Sequence, residues 1–203
     1  FFTSLKTYLN KYQFKAAEAH QLRLVFEEVT GKDLNWFFNQ WYFGANHPKL
    51  SISYDYNILR KTVTINIRQL QAEEFQFPLC LDIFEAGKRR RETVFIKNND
   101  ASFTFDFKEQ PRLIQVNADG VLLCEINENK VLSDYIFQLK NAKNYTHRRE
   151  ALVAVAKKQD DKVAFTAVVD ALEDSSYKIR ILALEKMDLI NKFSKKNAIQ
   201  KII

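Results

Sequence analysis

"VFEEVTGKDLNWFFNQWYFGANHPKLSISYDYN", residues 25–57, changes its hydrophobic period halfway along. Val25, Phe26 and Val29 complete one face of a helix, and Gly31 is placed as its C-terminal stop. Asp33 suits the cap of a third, short helix that runs through Tyr42 and carries Trp36, Phe37, Phe38, Trp41 and Tyr42. After Gly44 and Pro48 the period becomes two: Ile52, Tyr54 and Tyr56 alternate with Ser51, Ser53 and Asp55, which is the pattern of a strand. A helix apolar nearly all round is one buried between two bodies. The aromatics are therefore expected to fill a joint, one tryptophan facing the preceding helices and the other facing the sheet near Leu50 and Ile52.

Upstream, residues 1–47 read as helical. Phe2, Leu5, Tyr8, Leu9 and Tyr12 keep three-and-four spacing, Gln13–Lys15 is a break, and Ala16–Val29 forms a second helix. Downstream, residues 48–128 read as β. Seven alternating segments include Val63-Ile65-Ile67, Phe75 to Ile83, Val94-Ile96, Phe103-Phe105-Phe107, Ile114-Val116 and Leu122-Cys124-Ile126. Asn57, Gly87, Asn98-Asn99-Asp100 and Asp119-Gly120 supply turn chemistry between them. Seven short strands in this length predict a β-sandwich of immunoglobulin-like size, with one wet face per sheet and no helices over both sides. Residues 131–203 return to helical periodicity and repeat: Tyr145, Arg148, Ala151, Leu152 and Val155 recur 32 residues later as Tyr177, Arg180, Ala183, Leu184 and Met187. A second amphipathic helix lies between, with Asp174 and Ser175 capping the next. Two helices per unit at this period predict an α-solenoid. The expected fold is thus multi-domain: a helical segment, a seven-stranded sandwich, then solenoid helices. The apolar start at Phe1-Phe2 and the pattern running on to Ile202-Ile203 are read as signs of a piece of a longer protein.

Composition is that of a globular chain, with 46% hydrophobic and 28% charged residues and few Gly or Pro, which excludes a linker or low-complexity segment. The net charge of +6 is a mild basic bias, and nucleic-acid binding would need it gathered on one face. The densest run, Lys88-Arg89-Arg90-Arg91, lies between two strand patterns and is read as a hairpin tip, so no nucleic-acid partner is expected. No apolar run is long enough to span a membrane as a helix. Cys80 and Cys124 fall within strand patterns, as buried thiols or as a disulfide that spacing alone leaves open.

The opening stretch resembles the end of the catalytic domain of the aminopeptidase N family of zinc peptidases, on Gly31, Asp33, Leu34, Phe37, Phe38, Gln40, Trp41, Pro48 and Leu50. Gln69-Leu70-Gln71 resembles the close of the second sandwich strand in that family. The resemblance is specific over about residues 25–72 and implies a β-sandwich followed by a C-terminal helical domain, often of HEAT type, so that residues 131–203 are expected to be HEAT-like α-solenoid helices. The family binds zinc through His-Glu-x-x-His on one helix, with the Glu as base. This chain has no such motif; His20, His47 and His147 are scattered, and the segment that holds a substrate's amino terminus is absent too. No catalytic, cofactor-binding or metal-binding residue is therefore assigned.

What the resemblance implies is a non-catalytic C-terminal part of a zinc aminopeptidase, without zinc of its own. Its partners would be the upstream catalytic domain and, in the parent, a peptide. The alternative is the scaffold of a non-catalytic relative, such as the general transcription factor subunit that resembles aminopeptidases, with the basic run and the solenoid as partner surfaces. Other candidates read as structural: Glu27-Glu28 as a solvated face, His47 as a loop residue at a joint, and Arg148 and Arg180 as ties between repeats through Asp170 or Asp174.

Overall fold

The computed structural model describes residues 1–188; the rest of the expected repeat region, residues 189–203, lies outside them. The chain divides into two units, Phe1–His47 and Pro48–Ile203.

The first unit is a helical hairpin and a short third helix. Helices α1 (Phe2–Lys11) and α2 (Ala19–Thr30) are tied by the Lys11–Glu28 ion pair at 2.8 Å. Gly31 ends α2 in the left-handed conformation, donating its N–H to Glu27 O. Asp33 Oδ1 accepts the N–H of Asn35 at 2.8 Å at the start of α3 (Asn35–Phe38). The helix expected through Tyr42 widens instead into a π turn, Asn39–Phe43. It stops at Gly44, where a Cβ would stand 2.6 Å from the carbonyl oxygen of Gln40, too close for any side chain. The aromatics are not all buried as expected: Phe38 is, Trp36 and Trp41 are half-buried, and Phe37, Tyr42 and Phe43 are exposed. A turn with aromatics on every side has more apolar surface than this short unit covers.

The second unit opens with seven strands in two sheets. Strands β1 (Lys49–Asn57), β2 (Thr62–Gln69), β5 (Asp100–Asp106) and β7 (Glu125–Glu128) form one, in the order β5-β2-β1-β7. Strands β3 (Phe77–Glu85), β4 (Lys88–Ile96) and β6 (Leu113–Val116) form the other, in the order β4-β3-β6. All pairs are antiparallel except β1–β7. The alternation sets the buried faces: Leu50, Ile52, Val63, Ile65 and Ile67 in one sheet, Phe77, Leu79, Leu81, Ile83, Val94 and Ile96 in the other.

Three expectations are corrected. Phe75 is buried but precedes β3, and Leu122 and Cys124 lie in the loop before β7. The basic run is not a tip: the turn is Ala86-Gly87, both at positive φ, and Lys88–Arg91 lie within β4. The second sheet also does not keep a wet face throughout. All four residues of β6 are buried, because helix α4 (Leu132–Asn141) packs there, with Phe84 and Phe137 edge to face at 5.4 Å.

Helices α4, α5 (Tyr145–Ala156), α6 (Lys162–Asp170, extended by a 3-10 turn at Ala171–Glu173) and α7 (Tyr177–Lys186) complete the described chain. They share one apolar core that includes Leu139, Leu152, Val155, Val168, Ile179 and Ala183. The 32-residue repeat reaches down to individual hydrogen bonds. Arg148 Nη1 donates to the carbonyls of Ala142 and Lys143, and Arg180 Nη1 donates to those of Asp174 and Ser175. The Arg148 guanidinium also pairs with the Asp174 carboxylate at 3.0 Å, which ties the first hairpin to the second. Leu152 is fully buried in this core. Leu152→Ala is expected to lower stability by about 2–5 kcal/mol, measured by denaturant unfolding with helical circular dichroism.

Candidate functional site

Most of the buried polar chemistry of the second unit lies in one seam, where the sheets meet helices α4 and α5. The Tyr54 hydroxyl, from β1, donates to Glu128 Oε2 at 2.6 Å. Glu128 closes β7, and its Oε1 contacts the Lys130 ammonium. These two side chains are only 5% and 4% exposed, so the pair sits in a medium where either charge alone would be costly. Burial, and then the Glu128 carboxylate, push the Tyr54 phenol well above its ordinary value, so it remains a neutral donor. Nearby, Arg112 Nη1 donates to Asp134 at 2.7 Å, its Nη2 to the Ser133 carbonyl at 2.7 Å, and the guanidinium lies 5.3 Å from the Phe137 ring centroid. Together these groups line a cleft of about 480 Å3.

A second cavity of about 300 Å3 shares the Glu128 wall. Its floor is a chain of buried polar groups. His147 Nε2 lies 2.8 Å from the Asn117 carbonyl, which only accepts, so Nε2 carries a proton and donates it. Nδ1 lies 3.0 Å from Gln115 Nε2 and 3.9 Å from Glu150 Oε2. Gln138 Nε2 donates to the His147 carbonyl and to Glu150 Oε2, both at 2.9 Å. Burial pushes the Glu150 carboxyl up, but His147, Lys130 and Gln138 outweigh it and hold the group below the usual carboxylate range. The Asn144 side chain caps α5 and donates to the Asp119 carbonyl at 2.9 Å. A Cβ at Gly120 would meet Asn144 Nδ2 at 2.3 Å, and its φ of +66° is one that glycine adopts freely.

This seam was not assigned from the sequence. His147 sits inside a helical pattern that explains it as one more buried position, and Tyr54 completes a strand alternation equally well. No spacing rule joins Tyr54 to Glu128. Apart from His147 and Cys124, which line the second cavity, the residues weighed earlier do not converge on it. Glu27 pairs with Arg23 at 2.9 Å and accepts the N–H of Leu34, Glu28 pairs with Lys11, and His20 stacks at 5.0 Å on Phe43. His47 is half-buried. Among the described residues, no three His, Cys, Asp or Glu side chains are grouped to hold a metal ion. Both cysteines are free thiols, and burial pushes Cys124 up to about 11, the reverse of an activated nucleophile. No helix of the described residues is long and apolar enough to cross a membrane.

The basic run of β4 is largely neutralised within the sheet. Arg91 donates to both oxygens of Asp82, at 2.8 and 3.0 Å, and Arg89 donates to Oδ2 at 3.2 Å. Arg90 pairs with Glu92 and donates to the Asp106 carbonyl. Burial raises the Asp82 carboxyl, but the two guanidinium groups overcome it and leave it below its ordinary value.

Among the described residues the architecture is thus a mixed α/β one, with two sheets, no closed barrel and helices sealed to the second sheet by a polar seam. Among solved structures it is similar to the crystal structure of Legionella pneumophila aminopeptidase A in complex with aspartic acid, with a TM-score of 0.72 over 98% of this chain and 26% of that one, at 13% identity. At that identity the likeness is one of fold. The chain spans about a quarter of the length of that aminopeptidase. No protein-family model matches the sequence, and no curated protein does.

Two outcomes are expected. Lys130→Met alone leaves a buried carboxylate and should cost about 3–5 kcal/mol, whereas adding Glu128→Leu should recover only part of that loss, because the Tyr54 hydroxyl then loses its carboxylate acceptor; a double-mutant cycle by denaturant unfolding measures both. Asp82, whose folded value is lowered, contributes stability that is fully present above the unfolded carboxylate value of about 3.9 and is lost as pH falls through the lower folded value. The stability gap between wild type and Asp82→Asn should therefore shrink below about pH 4, read by unfolding across an acid series.

Proposed function

We propose that this chain is the non-catalytic C-terminal part of a peptidase-related protein built like an aminopeptidase. The immunoglobulin-like sandwich would act as a spacer, and the HEAT-like helices as part of a cover over a peptide-binding chamber formed elsewhere. One observation supports the reading most: likeness of fold to an aminopeptidase extends over 98% of the chain. The aminopeptidase N-like stretch from Val25 to Asn57 supports it independently, from sequence.

The first unit supports it further. Phe1, Phe2, Leu9, Phe14, Leu24, Phe37, Tyr42 and Phe43 are all between 43% and 98% exposed on a unit of 47 residues. A surface this apolar suits contact with further protein, and the upstream catalytic domain of the same parent is the occupant the reading names. The alternative, a partner-binding scaffold using the basic run, gains nothing from β4, whose arginines are already paired.

The purified chain is expected to carry no stoichiometric zinc by elemental analysis and to leave aminoacyl-amide reporters intact. A parent carrying an upstream His-Glu-x-x-His domain should cleave them. Hydrolysis or one equivalent of zinc in this chain alone would overturn the proposal.

A further inference from the structure

We infer that the end of the two sheets formed by the β1–β2, β3–β4 and β5–β6 connections binds the surface of an anionic lipid bilayer, with Ile58 and Leu59 entering between the headgroups. This inference is independent of the peptidase reading. It rests on a turn whose residues are poorly suited to a turn, and on the charges around it.

Tight hairpin connections favour Asn, Asp, Gly and Pro, which adopt the backbone angles a turn needs or bond back to its main chain. The β1–β2 connection uses one of these, Asn57, whose Oδ1 accepts the N–H of Arg60 at 2.9 Å. The tip itself is Ile58, Leu59, Arg60 and Lys61. Lys61 holds φ at +53°, a region that glycine adopts freely and lysine only at a cost. Ile58 is 57% exposed and Leu59 98% exposed. Turn stability alone selects for none of these four residues. Local rules broken in this way collect at functional surfaces.

The surroundings of the tip are basic. The Lys61 carbonyl accepts the N–H of Phe107 at 2.8 Å, and Glu85 Oε1 accepts the N–H groups of Lys108 and Glu109. These bonds gather the β1–β2 tip, the β5–β6 loop and the β3–β4 turn at one end, where Lys88 stands opposite Glu85 in register. Arg60, Lys61, Lys88 and Lys108 are exposed there, and none has an ion-pair partner among the described residues. Against these four cations stand the carboxylates of Glu85, Asp106 and Glu109. Arg89 and Arg91 share a single further carboxylate, Asp82, so the excess at this end is positive.

Two aliphatic side chains on a projecting tip, ringed by cations on long flexible stems, match a bilayer surface. The aliphatic groups reach below the headgroups while the Lys and Arg stems leave their charges at the phosphates. Anionic lipids attract such basic clusters. A protein partner would need a pocket shaped to Leu59, whereas a bilayer yields to it. A nucleic acid offers the charge but no apolar interior. The whole chain would be sedimented with vesicles of phosphatidylcholine, alone or mixed with phosphatidylserine. Binding is expected only with phosphatidylserine, half-complete at on the order of 1 mM lipid, and weaker as salt is raised.

Leu59→Asp, and Lys61→Glu together with Lys108→Glu, should each weaken binding about tenfold or more. All three positions are exposed, and an unchanged denaturant midpoint checks the fold. Leu70→Asp makes the same charge change at a leucine 56% exposed just beyond the far end of β2, and should leave binding as it was. Leu59→Trp should add emission that bromine-labelled acyl chains quench. The inference is overturned if phosphatidylserine vesicles do not bind the chain, if Leu59→Asp binds unchanged, if Leu70→Asp weakens binding as much, or if the Leu59→Trp emission is not quenched. Equally strong binding of polyglutamate that is lost in Leu59→Asp would give the surface to acidic proteins and overturn it as well.

Discussion

The carboxylate of Glu128 is the point on which the second unit depends. It ends the strand that runs parallel to β1, accepts the hydroxyl of Tyr54 from β1, and neutralises Lys130 two residues before α4 begins. A buried carboxylate must be paired, and it can be paired here only if strand, phenol and ammonium are all in place. The helices are thereby seated by a geometric requirement as well as by apolar contact. Nonspecific apolar packing of α4 on β6 would permit many orientations; Arg112–Asp134, Gln115–His147 and Asn144–Asp119 allow few.

The helical region shows a second use of the same idea. Arg148 satisfies carbonyls at the end of its own hairpin and reaches a carboxylate on the next, while Arg180 repeats the carbonyl contacts 32 residues later. The guanidinium suits this work because its planar fork can serve the end of a helix and a neighbouring unit together. The core between the hairpins holds them close, and the arginine sets their register.

The net charge of +6 does not become a binding face on β4. A strand side chain alternates between faces, so Arg89 and Arg91 point the same way and meet over Asp82, while Arg90 turns to Glu92 and the Asp106 carbonyl. The run also lies along an edge strand, where positive charge discourages pairing with another chain.

Periodicity alone determined much of this protein. The helices before Gly31, the strand beginning near Lys49, the buried alternation of Val63-Ile65-Ile67 and the 32-residue repeat were legible because each depends on spacing within a short window. The position of the turn at Ala86-Gly87, the π turn after Phe38 and the burial of both faces of β6 were not, since each is decided by what packs from far along the chain. The seam was hidden for the same reason. Tyr54 and Glu128 are 74 residues apart, and Gln115 and His147 are 32 apart. A tyrosine in a strand or a histidine in a helix announces nothing until the fold removes water from it. Sequence sets which faces are apolar; only the tertiary structure decides which polar groups are shut in with them, and so which must find partners and which, like Gln115 Oε1, are left without one.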